Sequence, residues 1–281
     1  MKSITFNHQN TSAIGIGTWH IGEGNQAKTE SEMAALKFGL DHGINVIDTA
    51  EMYGEGKSEI LIGNVIKNYS RSDFQLISKF YPFHATPKLI EQSLKASLKR
   101  LQTDYLDLYL LHWRGQTPLA ETVEGLENMV QAGLIRNWGV SNFDIEDLKE
   151  LDSLPAGKNC RVNEDLYNIG SRGIEYSILP WQKEHHMSFI AYSPFGSDGS
   201  EYLKIAPVIQ EMAKQKHITA YQLLLAWVIR NHDLLSIPKS SSVEHMKQNI
   251  EAVDVSFSAD ELELLDKTYP APKNERPLDT I

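Results

Sequence analysis

The amino-acid sequence predicts an α/β protein, a (β/α)8 (TIM-type) barrel with an N-terminal β-hairpin cap. One observation is alternation. Short runs rich in Val, Ile and Leu recur along the chain, each followed by a longer segment with helical periodicity. Continuous apolar strands separated by amphipathic helices form parallel sheets buried on both faces. The other observation is the count, because eight such units in 281 residues match the size of one barrel. No low-complexity or proline-rich linker interrupts them, so residues 1–281 read as one domain.

In chain order, "SITFNHQNTSA" reads as a hairpin that plugs the end of the barrel opposite the site. Strands are expected at Ile14–Trp19, Asn45–Asp48, Phe74–Lys79, Tyr105–His112, Asn137–Ser141, Arg161–Glu164, Ser188–Ser193 and Leu234–Lys239. Thr29 with Glu32 forms a capping box ahead of "MAALKFGL". Ser58 precedes "EILIGNVIKN" as the next cap. Pro87 and Pro118 start two further helices, while Asp144 and Thr219 cap two more.

Composition narrows the function classes. A net charge of −10 argues against nucleic acid or an anionic membrane as a main partner. It leaves room for a local basic cluster that binds an anionic cofactor. A single cysteine, Cys160, excludes an internal disulfide and reads as a small buried hydrophobe at a strand start. "MKSITFNHQN" has no apolar signal-peptide core, and "LLLAWVI" is too short to span a bilayer. A soluble cytoplasmic protein is expected.

Two glycine-rich stretches invite a nucleotide-binding reading. "GEGNQA", Gly22 to Ala27, fits the dinucleotide fingerprint, and Asp48 falls where its ribose-binding acid would sit. That fingerprint needs its glycines at a helix N-terminus, whereas the capping box starts the helix near Thr29. "GEGKS" fails as a P-loop because Glu51 stands where the first glycine is required.

The strand ends carry the chemistry, since a barrel's site lies at the C-terminal edge of its strands. Asp48 ends the second strand, with Tyr53 in its loop; Lys79 ends the third and His112 the fourth. An ammonium ending an apolar strand needs a partner, and a carboxylate on the neighbouring strand is one. Singly, this could be a structural ion pair. Jointly, the lysine lowers the phenol's pKa and makes Tyr53 a usable acid, Asp48 keeps Lys79 charged, and His112 orients a substrate oxygen. Such a site protonates a carbonyl oxygen as charge develops on it. No side chain supplies a hydride, so a nicotinamide cofactor is required.

The stretches "GINVIDTAEMYGEGKSE", "LISK", "DLYLLHW", "GLIRNWGVSNF", "AYSPF" and "IPKSSSVEHMKQN" together resemble the motifs of the aldo-keto reductases, from Gly17 to Asn249. "LLHWRG", "GSRGIEYSILPW" and "YPAPK" are similar to the bacterial branch whose members reduce methylglyoxal and similar small aldehydes. The resemblance implies a barrel that binds NADPH across its top, with Asp48, Tyr53, Lys79 and His112 as the catalytic four. It implies that Gly17, Thr18 and Trp19 border the cofactor. Ser141 and Asn142 would bond the nicotinamide carboxamide, and Tyr192 would stack on the ring. Ser193, Phe195 and "GSDGS" (196–200) would cover the pyrophosphate. Lys239 and Ser240 would take the 2′-phosphate, with His245, Gln248 and Asn249 near adenine. Trp19, His20, Tyr81, Phe83 and Trp113 would line the substrate pocket, and no metal is expected.

Two departures stand out. Most members carry glutamine where this chain has Glu164. A glutamate either accepts without donating, which weakens the carboxamide clamp, or it holds a proton. His245 replaces the arginine that many members place on the 2′-phosphate, so NADPH is expected with weaker discrimination against NADH. The leading reading is NADPH-dependent reduction of small aldehydes or ketones by a monomer. The alternatives are a nucleotide-binding regulatory module of the same fold, and a metal-dependent barrel enzyme using His112, Glu164 and Asp165. Lys79 would oppose the cation of the latter. The short tail after Lys267 argues against a long lid.

Overall fold

The structure is a computed structural model and describes residues 3–7, 9–197, 203–231 and 234–281. Its centre is a ring of eight parallel strands: β3 (Ile16–Gly17), β4 (Val46–Asp48), β5 (Gln75–Phe80), β6 (Leu106–Leu111), β7 (Ile135–Ser141), β8 (Val162–Leu166), β9 (Ser188–Tyr192) and β10 (Leu235–Ser236). Each pairs with its neighbours in sequence order. Parallel bridges Ile14–Ser236 and Gly17–Lys239 close the ring between its first and last strands. Gly17 is required at this seam, because a Cβ there would sit 2.3 Å from the Ile237 carbonyl oxygen.

An antiparallel hairpin, β1 (Ser3–Phe6) and β2 (Gln9–Ser12), covers the N-terminal ends of the strands. Ile4 and Phe6 are buried. The Gln75 amide donates to Thr11 Oγ1 at 2.8 Å, and the Ser12 N–H donates to Asn45 Oδ1 at 3.0 Å. Both barrel partners lie at strand starts, so the site is left to the opposite end.

Ten α-helices are described, with α1 at Gln26–Asp41, α2 at Lys57–Ile66, α3 at Pro87–Leu101, α4 at Leu119–Gln131 and α5 at Ile145–Asp152. They continue as α6 (Ile178–Glu184), α7 (Pro207–Gln215), α8 (Ala220–Val228), α9 (Val243–Ala252) and α10 (Ala259–Thr268). As expected, Asp144 Oδ1 accepts from the Glu146 and Asp147 N–H groups and Thr219 caps α8, where Gln222 completes a capping box.

Two caps differ from expectation. The cap of α1 is Asn25, whose side chain accepts from the Lys28 N–H, and Thr29 lies inside the helix. Glu32 instead turns inward, is fully buried and accepts from the Gly22 N–H at 2.9 Å. The helix therefore starts within the glycine-rich stretch, just after its two glycines. What excludes a doubly wound fold is the sequential, closed strand order, not helix spacing. Ser58 does not cap α2 either; that position is Gly56 in the left-handed region at φ 85°. The Ser58 hydroxyl donates to Thr18 Oγ1 at 2.9 Å and meets Thr49 Oγ1 at 3.1 Å, tying the loops after β3 and β4 together.

Candidate active site

Register places the acid and the lysine together. Asp48 pairs with Ile77 across β4 and β5, and Lys79 lies two residues on, facing the same way. Lys79 Nζ is 2.6 Å from Asp48 Oδ1, 3.2 Å from the Thr49 carbonyl oxygen, 3.2 Å from Glu164 Oε1 and 3.3 Å from the Tyr53 hydroxyl. The lysine side chain is wholly buried. Burial alone would strip its proton, but the charges of Asp48 and then Glu164 outweigh that and hold the ammonium above its ordinary range. Burial raises Asp48 above the usual carboxylate value, with Lys79 opposing.

Tyr53 opens a tight turn, Tyr53–Gly56, after β4. Gly54 and Gly56 have φ of 57° and 85°, the left-handed backbone that glycine adopts without strain and that swings the phenol back over the strand end. Its pKa differs from the expectation. Burial raises the phenol above its ordinary value, and the nearby Lys79 offsets this only in part, with Asp48 and Glu164 adding to the rise. Tyr53 is thus a fully protonated donor rather than an acid tuned toward neutrality. His112 follows β6 with its ring edge-on to Tyr53, centroids 5.7 Å apart. Burial and then Lys79 hold its imidazole well below its usual value. Its Nδ1 is buried without a partner, so the neutral ring's proton belongs on Nε2.

With Lys79 buried behind them, Asp48, Tyr53, His112 and Glu164 line a cavity of about 880 Å³ at the C-terminal end of the strands. Its wall includes Gly17, Thr18, Trp19, Ser141, Asn142, Glu164, Tyr192, Ser193, Phe195 and Lys239, all named from the sequence as cofactor-binding. Asn142 anchors one side, accepting from the Tyr192 hydroxyl at 2.7 Å and donating to the His112 carbonyl oxygen at 3.0 Å. Lys239 Nζ donates to Ser241 Oγ at 2.6 Å. Burial and then Lys28 lower its ammonium, with Glu32 and Glu23 opposing. Ser240 is buried, with its hydroxyl turned to the Ser242 carbonyl oxygen. His245, Gln248 and Asn249 lie on α9, outside the cavity wall. Of the "GSDGS" loop, residues 198–200 lie outside the described residues.

Of the expected substrate-pocket residues, Trp19, His20 and Trp113 line the cavity, while Tyr81 and Phe83 do not. Those two stack on each other at 4.5 Å, with Tyr81 edge-on to Trp113. Glu51 accepts from the Tyr81 N–H and pairs with His84 Nδ1, which pins this turn away from the opening. Sequence reasoning missed Tyr221, at the start of α8, and Ile281, the last residue. Ile281 reaches the rim because Glu275 and Asp279 accept from Ser177 and Ser171. No repeating pattern in the tail signals that return.

Other candidates settle elsewhere. Cys160 is buried, and burial pushes its thiol up to about 12. Asp165 faces away from Glu164 along the pleat and accepts from the Asn163 amide. Among the described residues there is no cluster of three or more His, Cys, Asp or Glu able to hold a metal, and no helix long and apolar enough to cross a membrane.

A closed barrel with an acid, a tyrosine and a histidine lining one cavity, and a buried lysine bonded to the acid and the tyrosine, defines a class of carbonyl-handling oxidoreductases. The chain belongs to the aldo/keto reductase family, whose model matches residues 13–270. It is 44% identical over 272 residues to the methylglyoxal reductase YeaE of Escherichia coli K12, covering 96% of this chain and 95% of that protein. Among solved structures, an aldo/keto reductase from Klebsiella pneumoniae in complex with NADP and acetate superposes with a TM-score of 0.95 at 46% identity, covering 100% of this chain and 99% of that one. A Klebsiella pneumoniae aldo-keto reductase in complex with NADPH gives 0.94 at 45%, covering all of both chains.

Proposed function

We propose that this chain reduces small aldehydes and ketones, methylglyoxal-like or aryl, to alcohols using NADPH, with Tyr53 as the general acid. The observation that carries the reading is the Tyr53 hydroxyl held 3.3 Å from a lysine that is itself fixed by Asp48 at 2.6 Å. When bound, NADPH supplies a hydride to the carbonyl carbon. Tyr53 gives its proton to the carbonyl oxygen, and Lys79 stabilises the phenolate left behind. Neutral His112 offers its Nε2–H to that oxygen and sets its direction.

The residues present fit the cofactor. The cavity is large enough for the nicotinamide end together with a small substrate. Tyr192 supplies an aromatic wall beside Asn142, and Lys239 is an exposed cation at the rim, suited to the 2′-phosphate. The aromatic lining of Trp19, His20 and Trp113 suits a compact or aryl carbonyl. The match to a methylglyoxal reductase over nearly the whole chain favours the same substrate class.

The test is loss of NADPH absorbance with methylglyoxal and with a nitrobenzaldehyde, with and without chelator. Turnover unaffected by chelator supports the reading. Tight NADPH binding without turnover on a broad carbonyl panel would favour a regulatory module, and chelator-sensitive turnover a metal enzyme.

A further inference from the structure

The cluster under Tyr53 contains one acid more than an ion pair needs. On β8, Glu164 points into the barrel, 2% exposed, with Oε1 3.2 Å from Lys79 Nζ. An ammonium has three protons. Here it faces four oxygens, those of Asp48, the Thr49 backbone, Tyr53 and Glu164. With both carboxyls ionised, the buried group would carry a net negative charge, since among the described residues Lys79 alone pairs with them, an expensive state away from water. Asp48 Oδ2 and Glu164 Oε2 are buried and accept from no N–H or O–H group of the described residues, while the two carboxyl side chains lie within hydrogen-bonding reach of each other.

We propose that Glu164 is a third member of the Asp48–Lys79 cluster and keeps one proton, shared with Asp48, so that the group beneath the Tyr53 hydroxyl is electrically neutral. That proton supplies the donor both orphan oxygens lack. Distance assigns it mainly to Glu164, because Asp48 holds the shorter contact to the ammonium, 2.6 against 3.2 Å, and the closer carboxyl keeps its charge. The titration behaviour agrees: burial first, and then the charge of Asp48, raise Glu164 well above the usual carboxylate range, with Lys79 opposing.

Among the described residues, the groups around Glu164 are few. Asp48 faces it from β4, Lys79 from β5 and Tyr53 from the turn after β4. Ser141 on β7 donates its hydroxyl to the Glu164 backbone carbonyl and brings no charge. His112 is held neutral, and Tyr192 on β9 lines the same cavity. Asp165, next in sequence, faces the other side of the sheet.

This neutrality has a consequence for the reaction proposed above, on which this part of the inference rests. A protonated acid presents one O–H donor and one C=O acceptor, the same pair as a carboxamide. Glu164 then positions the nicotinamide carboxamide without placing a second negative charge beside the phenolate that Tyr53 becomes. Ionised, it would hold the Tyr53 proton more tightly.

The test needs no turnover. A folded-state pKa raised above the unfolded value of about 4.3 means that Glu164's stability contribution is full below that value. It is lost as pH rises toward the folded pKa. Thermal unfolding of the nucleotide-free protein and of Glu164→Gln, followed from pH 5 to 9, should show the variant's advantage in Tm widening steadily as pH rises. Infrared difference spectra at pH 7, wild type minus Glu164→Gln, should show a carboxylic-acid C=O band, since any band from Asp165, which burial also raises, cancels in the difference. A constant Tm difference, or no acid band, overturns the proposal. An acid band in a protein that oxidises no NADPH would leave this proposal standing and overturn the reductase reading instead.

Discussion

The ammonium of Lys79 stands 3.3 Å from the hydroxyl of Tyr53, two residues 26 positions apart in sequence. Their meeting depends on the β4–β5 register and on the two left-handed glycines of the turn that carries the phenol. Lys79 faces both ways: it is the counter-ion of a buried acid cluster and the stabiliser of the phenolate.

Lys79→Met should therefore fail twice. Removing the cation that pairs with both acids leaves Asp48 and Glu164 buried against an apolar chain, a loss of about 3–5 kcal/mol for a broken buried pair. Carbonyl reduction should fall by about 10²-fold or more, on the scale of lost acid–base assistance. Urea unfolding and NADPH oxidation check the two halves. The stability gap to wild type should hold from pH 7 to 9. It should shrink above about 10.4, because a lysine with a raised folded pKa contributes fully below its unfolded value and loses that contribution above it.

Ser58→Ala should lower Tm, since its buried hydroxyl joins Thr18 to Thr49. Leaving those partners unsatisfied costs about 1–3 kcal/mol. Differential scanning calorimetry reads the shift. A variant as stable as wild type would show that the two loops hold without this link.

Lys239→Met should raise KM for NADPH about tenfold while changing KM for NADH little, the size of one charge-assisted contact. Initial rates with both nucleotides measure the ratio. Equal effects on the two would remove Lys239 from the 2′-phosphate.

Cys160 should be silent. With its thiol buried and pushed up to about 12, it should not react with a thiol reagent in the folded protein at pH 8, and one equivalent should appear on unfolding. Cys160→Ala should retain full turnover.

The barrel was legible in the sequence because continuous apolar strands and amphipathic helices have different periods, and all eight strands fall within or beside the expected runs. Strand-end chemistry was legible for a related reason. Asp48, Lys79 and His112 are polar residues ending apolar runs, which burial does not explain. The caps were harder to read. Thr29 and Ser58 are good cap residues, but Asn25 offered a better start, and Ser58 found buried hydroxyl partners that only the closed barrel brings near. The raised Tyr53 pKa was hidden because motif spacing reveals which charge is near, not how much water is lost. Ile281 was invisible for a similar reason: its place at the rim follows from tail contacts at Ser171 and Ser177, far away in sequence.

The central claim is that Tyr53 is the proton donor in a carbonyl reduction driven by NADPH. The direct measurement is single-turnover oxidation of bound NADPH by methylglyoxal in wild type and Tyr53→Phe, with nucleotide affinity measured separately by fluorescence. The account predicts unchanged NADPH affinity and a rate lower by about 10²–10⁴-fold in the variant, the usual range for losing a positioned acid. Equal rates in the two proteins would contradict it.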